Sequence, residues 1–312
     1  MKKFKIIFFG LSLLILAAGC NNEEIKEKNN SKENSKTDKK VVYTSNYPIY
    51  DFTKKISGDK LEVINLIKNG ESAHHWEPSA QDIKSLSESD MFIYNGAGLE
   101  NWVESLLDSD SVPKITVEAS KDLDLIENHH DEHDEHDHGM YDPHTWLSLK
   151  NAEKMLENIL EGIVELDPEN KEYYKENFEN WKNKFEELDE KYKKELAEVE
   201  NKTIVVSHEA YGYLVRDYNL NQLGIEGVNA SGEPTAKKME EIINFIKSEN
   251  IKVIFYENTI NPKIANIIAE ETNAETKMLS PLESLTEDEI KNGEDYYSIM
   301  QKNLEKISEA LK

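Results

Sequence analysis

Residues 171–200 read KEYYKENFENWKNKFEELDEKYKKELAEVE, and the spacing of their apolar side chains decides the architecture. Tyr174, Phe178, Trp181, Phe185, Leu188, Tyr192, Leu196 and Val199 follow one another at intervals of 4, 3, 4, 3, 4, 4 and 3. That period is helical, so the segment predicts one amphipathic helix of about 30 residues, roughly 45 Å long. Asp167-Pro168 supplies a cap and a first-turn proline ahead of it, and Ala152–Val164 carries apolar pairs at the same spacing. On both sides the pattern changes to short β-branched runs: Val41–Ser45, Leu61–Ile67, Met91–Asn95 and Lys114–Val117 before it, then Thr203–Ser207, Lys252–Glu257 and Thr276–Leu279 after it. Helical stretches between several of them point to parallel sheets with crossover helices. The expected fold is α/β, with two β/α lobes joined by a long rigid helix and a ligand cleft between the lobes. A coiled-coil dimer is the rival reading of the stripe, but about four heptads set between two β/α halves suit a connector better, and the chain is expected to be a monomer.

The boundaries that follow are 41–150 for a first lobe, 151–200 for connector helices and 201–312 for a second lobe. Residues 1–19 differ from all of these. Lys2, Lys3 and Lys5 precede an apolar run from Ile6 to Ala18 that is too short for a bilayer needing about 20 residues, which is the pattern of a secretory signal. Cys20, the only cysteine, follows Ala17, Ala18 and Gly19, where such a signal is cut. This is the layout of a bacterial lipobox, with Leu16 one place early, and it predicts a lipid on Cys20. Residues 21–40 contain a single apolar side chain, Ile25, and read as a flexible stalk. The expected location is extracytoplasmic, tethered to the cell membrane by the lipid, and periplasmic where an outer membrane exists. A formal charge of −25, which becomes −28 once the signal and its three lysines are gone, argues against nucleic acid and against adhesion to anionic lipid by charge.

Nine histidines stand in this acidic chain. Five of them, His129, His130, His133, His136 and His138, fall within Glu127–Met140 among six carboxylates. Such a segment cannot build a core, and its imidazoles and carboxylates suit divalent ions, so it reads as a flexible metal-collecting loop. The other four lie in three separate places: His74 and His75 in a turn-rich loop, His144 ahead of the connector helices, and His208 at the end of a buried-looking strand. Zinc takes four tetrahedral ligands, and three histidines with one carboxylate make a sensible set. Glu257, closing the run Val253–Glu257, is the carboxylate expected from the second lobe, with a water or Glu209 as alternatives.

His74-His-Trp-Glu-Pro78, Asp142-Pro-His-Thr-Trp-Leu147, Val206-Ser-His-Glu-Ala-Tyr-Gly212, Gly232-Glu-Pro234, Ile251-Lys-Val-Ile-Phe-Tyr-Glu257 and Pro281-Leu-Glu-Ser-Leu285 occur in one order over residues 41–312. In these stretches the chain resembles the zinc-binding solute receptors of bacterial ABC importers, a cluster that also holds manganese receptors. The resemblance selects His74 over His75 as the ligand and leaves His75 beside the ion without holding it; Trp76 and Trp146, each two residues after a ligand, are expected to wall the site from water, and Glu209 lies beside His208. It implies capture of Zn2+ as transported cargo, delivery to an ABC permease with its ATPase, and no enzymatic step. Manganese receptors of the cluster use two carboxylates and generally lack a histidine-rich insertion, and manganese favours oxygen ligands, so zinc is expected here. Ligand imidazoles must be neutral, so affinity is expected to fall as pH drops through the histidine range near 6.5. Two rivals of other classes are a zinc hydrolase, with Glu209 or Glu257 as base, and a surface adhesin. The first lacks a His-Glu-x-x-His helix, and nothing in the sequence addresses the second.

Overall fold

Val42, Met91, Phe92 and Ile93 are buried apolar residues of short runs, which is why their strands lie inside a sheet and not at its edge. The computed structural model describes residues 39–109, 111–128, 140–230, 234–258 and 260–312. The signal segment, Cys20, nearly all of the stalk and the five histidines of the 127–140 loop lie outside the described residues. In the first lobe, β1 (Val41–Thr44) pairs with β2 (Glu62–Asn65) and β3 (Met91–Tyr94), and β4 (Ile115–Glu118) pairs with β3. All pairings are parallel and the order is β2-β1-β3-β4. The crossovers are α1 (Tyr47–Ser57), α2 (Ala80–Ser87) and α3 (Val103–Asp108). Asn46 caps α1 by accepting from the Ile49 amide, and Ser79 with Asp82 forms a reciprocal capping box on α2.

Two helices link the lobes, α4 (Leu149–Leu166) and, after a short turn at Pro168–Asn170, α5 (Lys171–Ala197). The stripe that predicted α5 is spent on the core. Tyr174, Phe185, Tyr192 and Leu196 are fully buried, and Phe178, Leu188 and Val199 nearly so. Trp181 is the exception: it is half-buried under Lys55 and Lys184, whose ammonium groups stand 4.1 and 3.9 Å from its ring. Phe185 packs on Phe52 of α1 at 5.8 Å and on Tyr296 at 5.4 Å. One helix therefore packs on both halves, and its apolar face is covered without a coiled-coil partner. Gly162 lets α4 lie close on the first sheet, because a Cβ there would stand 2.5 Å from Val117 Cγ2 and 2.6 Å from Met91 Cε.

The second lobe repeats the plan with β5 (Thr203–His208), α6 (Gly212–Asp217), β6 (Asn221–Glu226), α7 (Ala236–Ser248), β7 (Val253–Tyr256), α8 (Lys263–Thr272) and β8 (Glu275–Met278), parallel in the order β6-β5-β7-β8. α9 (Glu287–Lys291) and α10 (Tyr296–Ala310) follow, and Tyr192 of α5 donates to the Met300 carbonyl of α10 at 2.6 Å. The strand β6 is absent from the sequence-based expectation. It is an edge strand reading NQLGIE, with two apolar side chains and a glycine, so it lacks the β-branched run that marks the others.

Candidate metal centre

Because both sheets are parallel, each presents all its carboxyl ends along one edge, the side on which open α/β sheets hold ligands. His74 lies in the loop after β2, His144 in the segment after β4, His208 at the last position of β5, and Glu283 in the loop after β8. These four residues come together, each offering one ligand atom, and all four atoms lie within 4.8 Å of one another. His74 Nε2 is 3.1 Å from His144 Nε2, and His208 Nε2 is 3.2 Å from the same atom. Glu283 Oε1 stands 3.2, 3.6 and 3.7 Å from the Nε2 atoms of His74, His144 and His208. A tetrahedron with metal–ligand bonds of about 2.05 Å has edges of about 3.3 Å, so these five edges bracket the size zinc requires. Two imidazoles on such an ion hold their ring centroids about 5 Å apart. The three ring pairs here are separated by 5.0, 5.1 and 5.8 Å.

The far nitrogens explain why the near ones face inward. His144 Nδ1 pairs with Asp142 Oδ1 at 2.8 Å, and His208 Nδ1 with Glu257 Oε1 at 2.5 Å. A carboxylate on Nδ1 fixes the proton there and leaves Nε2 as a lone pair aimed at the cluster. Gly212, at the start of α6, makes room for Asp142, because a Cβ there would come within 2.4 Å of Asp142 Oδ2. Tyr213 holds the same segment from the second lobe: its hydroxyl donates to the Asp142 carbonyl at 2.7 Å and accepts from the Ile126 amide at 3.2 Å. Trp146 is fully buried with its ring 5.4 Å from that of His144, and it donates to the Pro281 carbonyl at 2.7 Å, two residues before Glu283.

Glu257 is thus not the fourth member of the cluster. Val206 of β5 pairs with Phe255 of β7, so two residues further along both strands His208 and Glu257 emerge side by side on one face. From that position the carboxylate meets the near side of the ring, Nδ1, and not the side where an ion would sit. Glu283 reaches the ion side from a tight loop in which Leu282 adopts a left-handed φ of 61°, a conformation that costs a non-glycine residue about 1–2 kcal/mol and so marks a constrained turn. Pro281-Leu-Glu-Ser-Leu285 was a recognised motif, but nothing in its spacing distinguishes Glu283 from Glu257. Glu209 lies over Gly224 of β6, where a Cβ would touch its side chain at 2.3 Å, outside the cluster. His75 is exposed, with its ring centroid 6.5 Å from that of His74.

The electrostatics favour a cation at the centre. Glu283 Oε1 is buried and makes no hydrogen bond, while Ser72 Oγ reaches only its other oxygen at 3.5 Å. Burial alone would raise the pKa of Glu283, but His144 and His74 beside it hold the carboxyl well below the usual range. Burial pushes His74 down, against the pull of Glu283. Burial also opposes a charge on His144, but the hydrogen bond to Asp142 and the nearby carboxylate of Glu283 outweigh it and push this imidazole up to about 9. A proton held by His144 eases the repulsion between nitrogens that face each other at about 3 Å. A divalent ion would take its place.

Comparison with known proteins places the whole folded part of the chain. The family described as "Zinc-uptake complex component A periplasmic" matches residues 42–310. The chain is 37% identical over 318 residues to the high-affinity zinc uptake system protein ZnuA of Bacillus subtilis, covering 99% of this chain and 98% of that one. It is 34% identical to the zinc-binding lipoprotein AdcA of Streptococcus pneumoniae over 99% of this chain, but spans only 61% of the length of AdcA. The crystal structure of the Zn(II)-bound ZnuA-like domain of that AdcA superposes with a TM-score of 0.77 at 34% identity, covering 88% of this chain and 99% of the domain.

Proposed function

The chain belongs to the zinc-uptake complex component A family, and we propose that it is an extracytoplasmic receptor that captures Zn2+ through His74, His144, His208 and Glu283 and passes it to an ABC permease driven by its ATPase. The observation that carries this reading is the four-atom cluster whose edges fit a zinc tetrahedron. Two of its members extend from the first sheet and two from the second, so an ion at the centre is bonded across the cleft. α5 packs on both lobes and allows little hinge motion, so binding acts by fixing the loops around β2, β4 and β8. Among the described residues one carboxylate, Glu283, faces the ion position; Glu257 is engaged with His208. Three nitrogens and one oxygen suit zinc, whereas manganese calls for more oxygen. All four members are held in side-chain burial, which leaves no position open for a reacting water, and this favours a carrier over a zinc hydrolase.

The same proposal includes the membrane tether. No helix among the described residues is long and apolar enough to cross a bilayer. A lipid on Cys20 with residues 21–40 as stalk would hold the body near its permease. The test is titration of metal-stripped protein with Zn2+: one tight equivalent is expected, lost in a variant carrying His144→Ala and His208→Ala together, and retention of that equivalent in the double variant would reject the site.

A further inference from the structure

A cavity of about 580 Å3 opens beside the cluster, and His74 and His75 both line it. Of the four clustered residues His74 alone lines it, with its side chain 4% exposed, while the side chains of His144, His208 and Glu283 are at 0–2%. The cavity is therefore a way in that leads first to His74. Trp76 and Trp102, in edge contact at 5.4 Å, form one wall. No residue lining it is Lys or Arg, and Glu77 stands exposed at its rim, so a dication meets no repulsive charge there. His75 is exposed in this passage, and its ring lies 6.5 Å from that of His74. Two imidazoles sharing one zinc ion have centroids about 5 Å apart, so the ring of His75 stands about 1.5 Å too far from that of His74 to share an ion with it. An exposed side chain covers such a gap by a small χ rotation.

We propose that His75 is an entry ligand: it takes a hydrated Zn2+ from solvent within this cavity and hands it to His74. In the hand-over one zinc–nitrogen bond to His75 breaks as one to His74 forms, both imidazoles remain neutral, coordinated water leaves to solvent, and no electron is transferred. This rests on the zinc-receptor reading above and adds a step to it. A transit ligand speeds arrival and departure alike, so it changes rates more than the equilibrium.

The experiment is stopped-flow mixing of the metal-stripped full-length protein with Zn2+, and of the zinc-loaded protein with excess chelator, followed by tryptophan fluorescence. In His75→Ala both the association rate and the chelator-driven release should fall by at least about threefold, with their ratio moving less than either. His75→Asp, which restores a zinc ligand without restoring the ring, should recover most of the loss. Unchanged or faster association in His75→Ala would overturn the proposal, since the ring would then be a bystander or an obstruction. Weaker affinity with unchanged association would also overturn it, since His75 would then hold the bound ion. If the unsubstituted protein takes up no Zn2+, the receptor reading fails, and that outcome is distinct from a fault in the relay alone.

Discussion

Replacing Glu257 by Gln and, separately, Glu283 by Gln distinguishes a carboxylate that steadies a ligand from one that is a ligand. Glu257 Oε1 lies 2.5 Å from His208 Nδ1, and both side chains are almost fully buried. Gln keeps an acceptor at that position, so the imidazole stays aimed, but it loses the anion behind His208 Nδ1. Partners of this kind are worth about 10–100-fold in metal affinity, or about 1.4–2.7 kcal/mol. Glu283 Oε1 instead faces three Nε2 atoms at 3.2–3.7 Å and has no hydrogen-bond donor of its own. Removing one member of a buried charge pair costs about 3–5 kcal/mol, which is roughly 10²–10⁴-fold. Burial raises the pKa of Glu257, so in the metal-free protein Glu257→Gln should unfold at a temperature no lower than the parent. The assay is competition for Zn2+ against a chromogenic chelator, with thermal unfolding of the stripped proteins as the control. A loss in Glu257→Gln equal to or greater than that in Glu283→Gln would refute the assignment and return the ion to Glu257.

Three further outcomes follow from other parts of the structure. With His144 near 9 in the metal-free protein, binding must expel one proton at neutral pH; zinc affinity should rise about tenfold per unit between pH 7 and 9, then level off, as read by titration in buffers of different ionisation enthalpy. Deleting Glu127–Met140 should leave one tight equivalent of zinc and remove weaker ones, as counted by equilibrium dialysis; loss of the tight equivalent would contradict a collecting role for this segment. Gly212→Ala forces a Cβ against Asp142 and should weaken zinc binding by about 10–100-fold with far-UV circular dichroism unchanged, because it displaces the carboxylate behind His144.

The parts legible in sequence are those governed by local pattern. α5 was visible because its stripe must cover two lobes, and only Trp181 fell short, half-buried with two lysine ammonium groups against its ring. Seven strands were readable from β-branched runs; β6 was not, since NQLGIE holds a single β-branched residue and a glycine. His74, His144 and His208 stood out because each follows a strand or fills a turn, where α/β proteins place their ligands. The fourth position was not legible, because it depends on strand register. Glu257 closes a strand as His208 does, but the pairing of Val206 with Phe255 turns it toward Nδ1, and that pairing is set by tertiary contact. The expected loss of affinity in acid keeps its sign in the pH prediction above, with its window moved upward because carboxylates stand on both sides of His144.

Three imidazoles and one carboxylate, sized for a tetrahedron, should select zinc over manganese. The most direct measurement is competition between Zn2+ and Mn2+ for the metal-stripped protein at constant pH, with bound metal read by elemental analysis after gel filtration. Zinc should fill the site and displace manganese even when manganese is in about hundredfold excess. Equal occupancy, or retention of manganese against zinc, would contradict it.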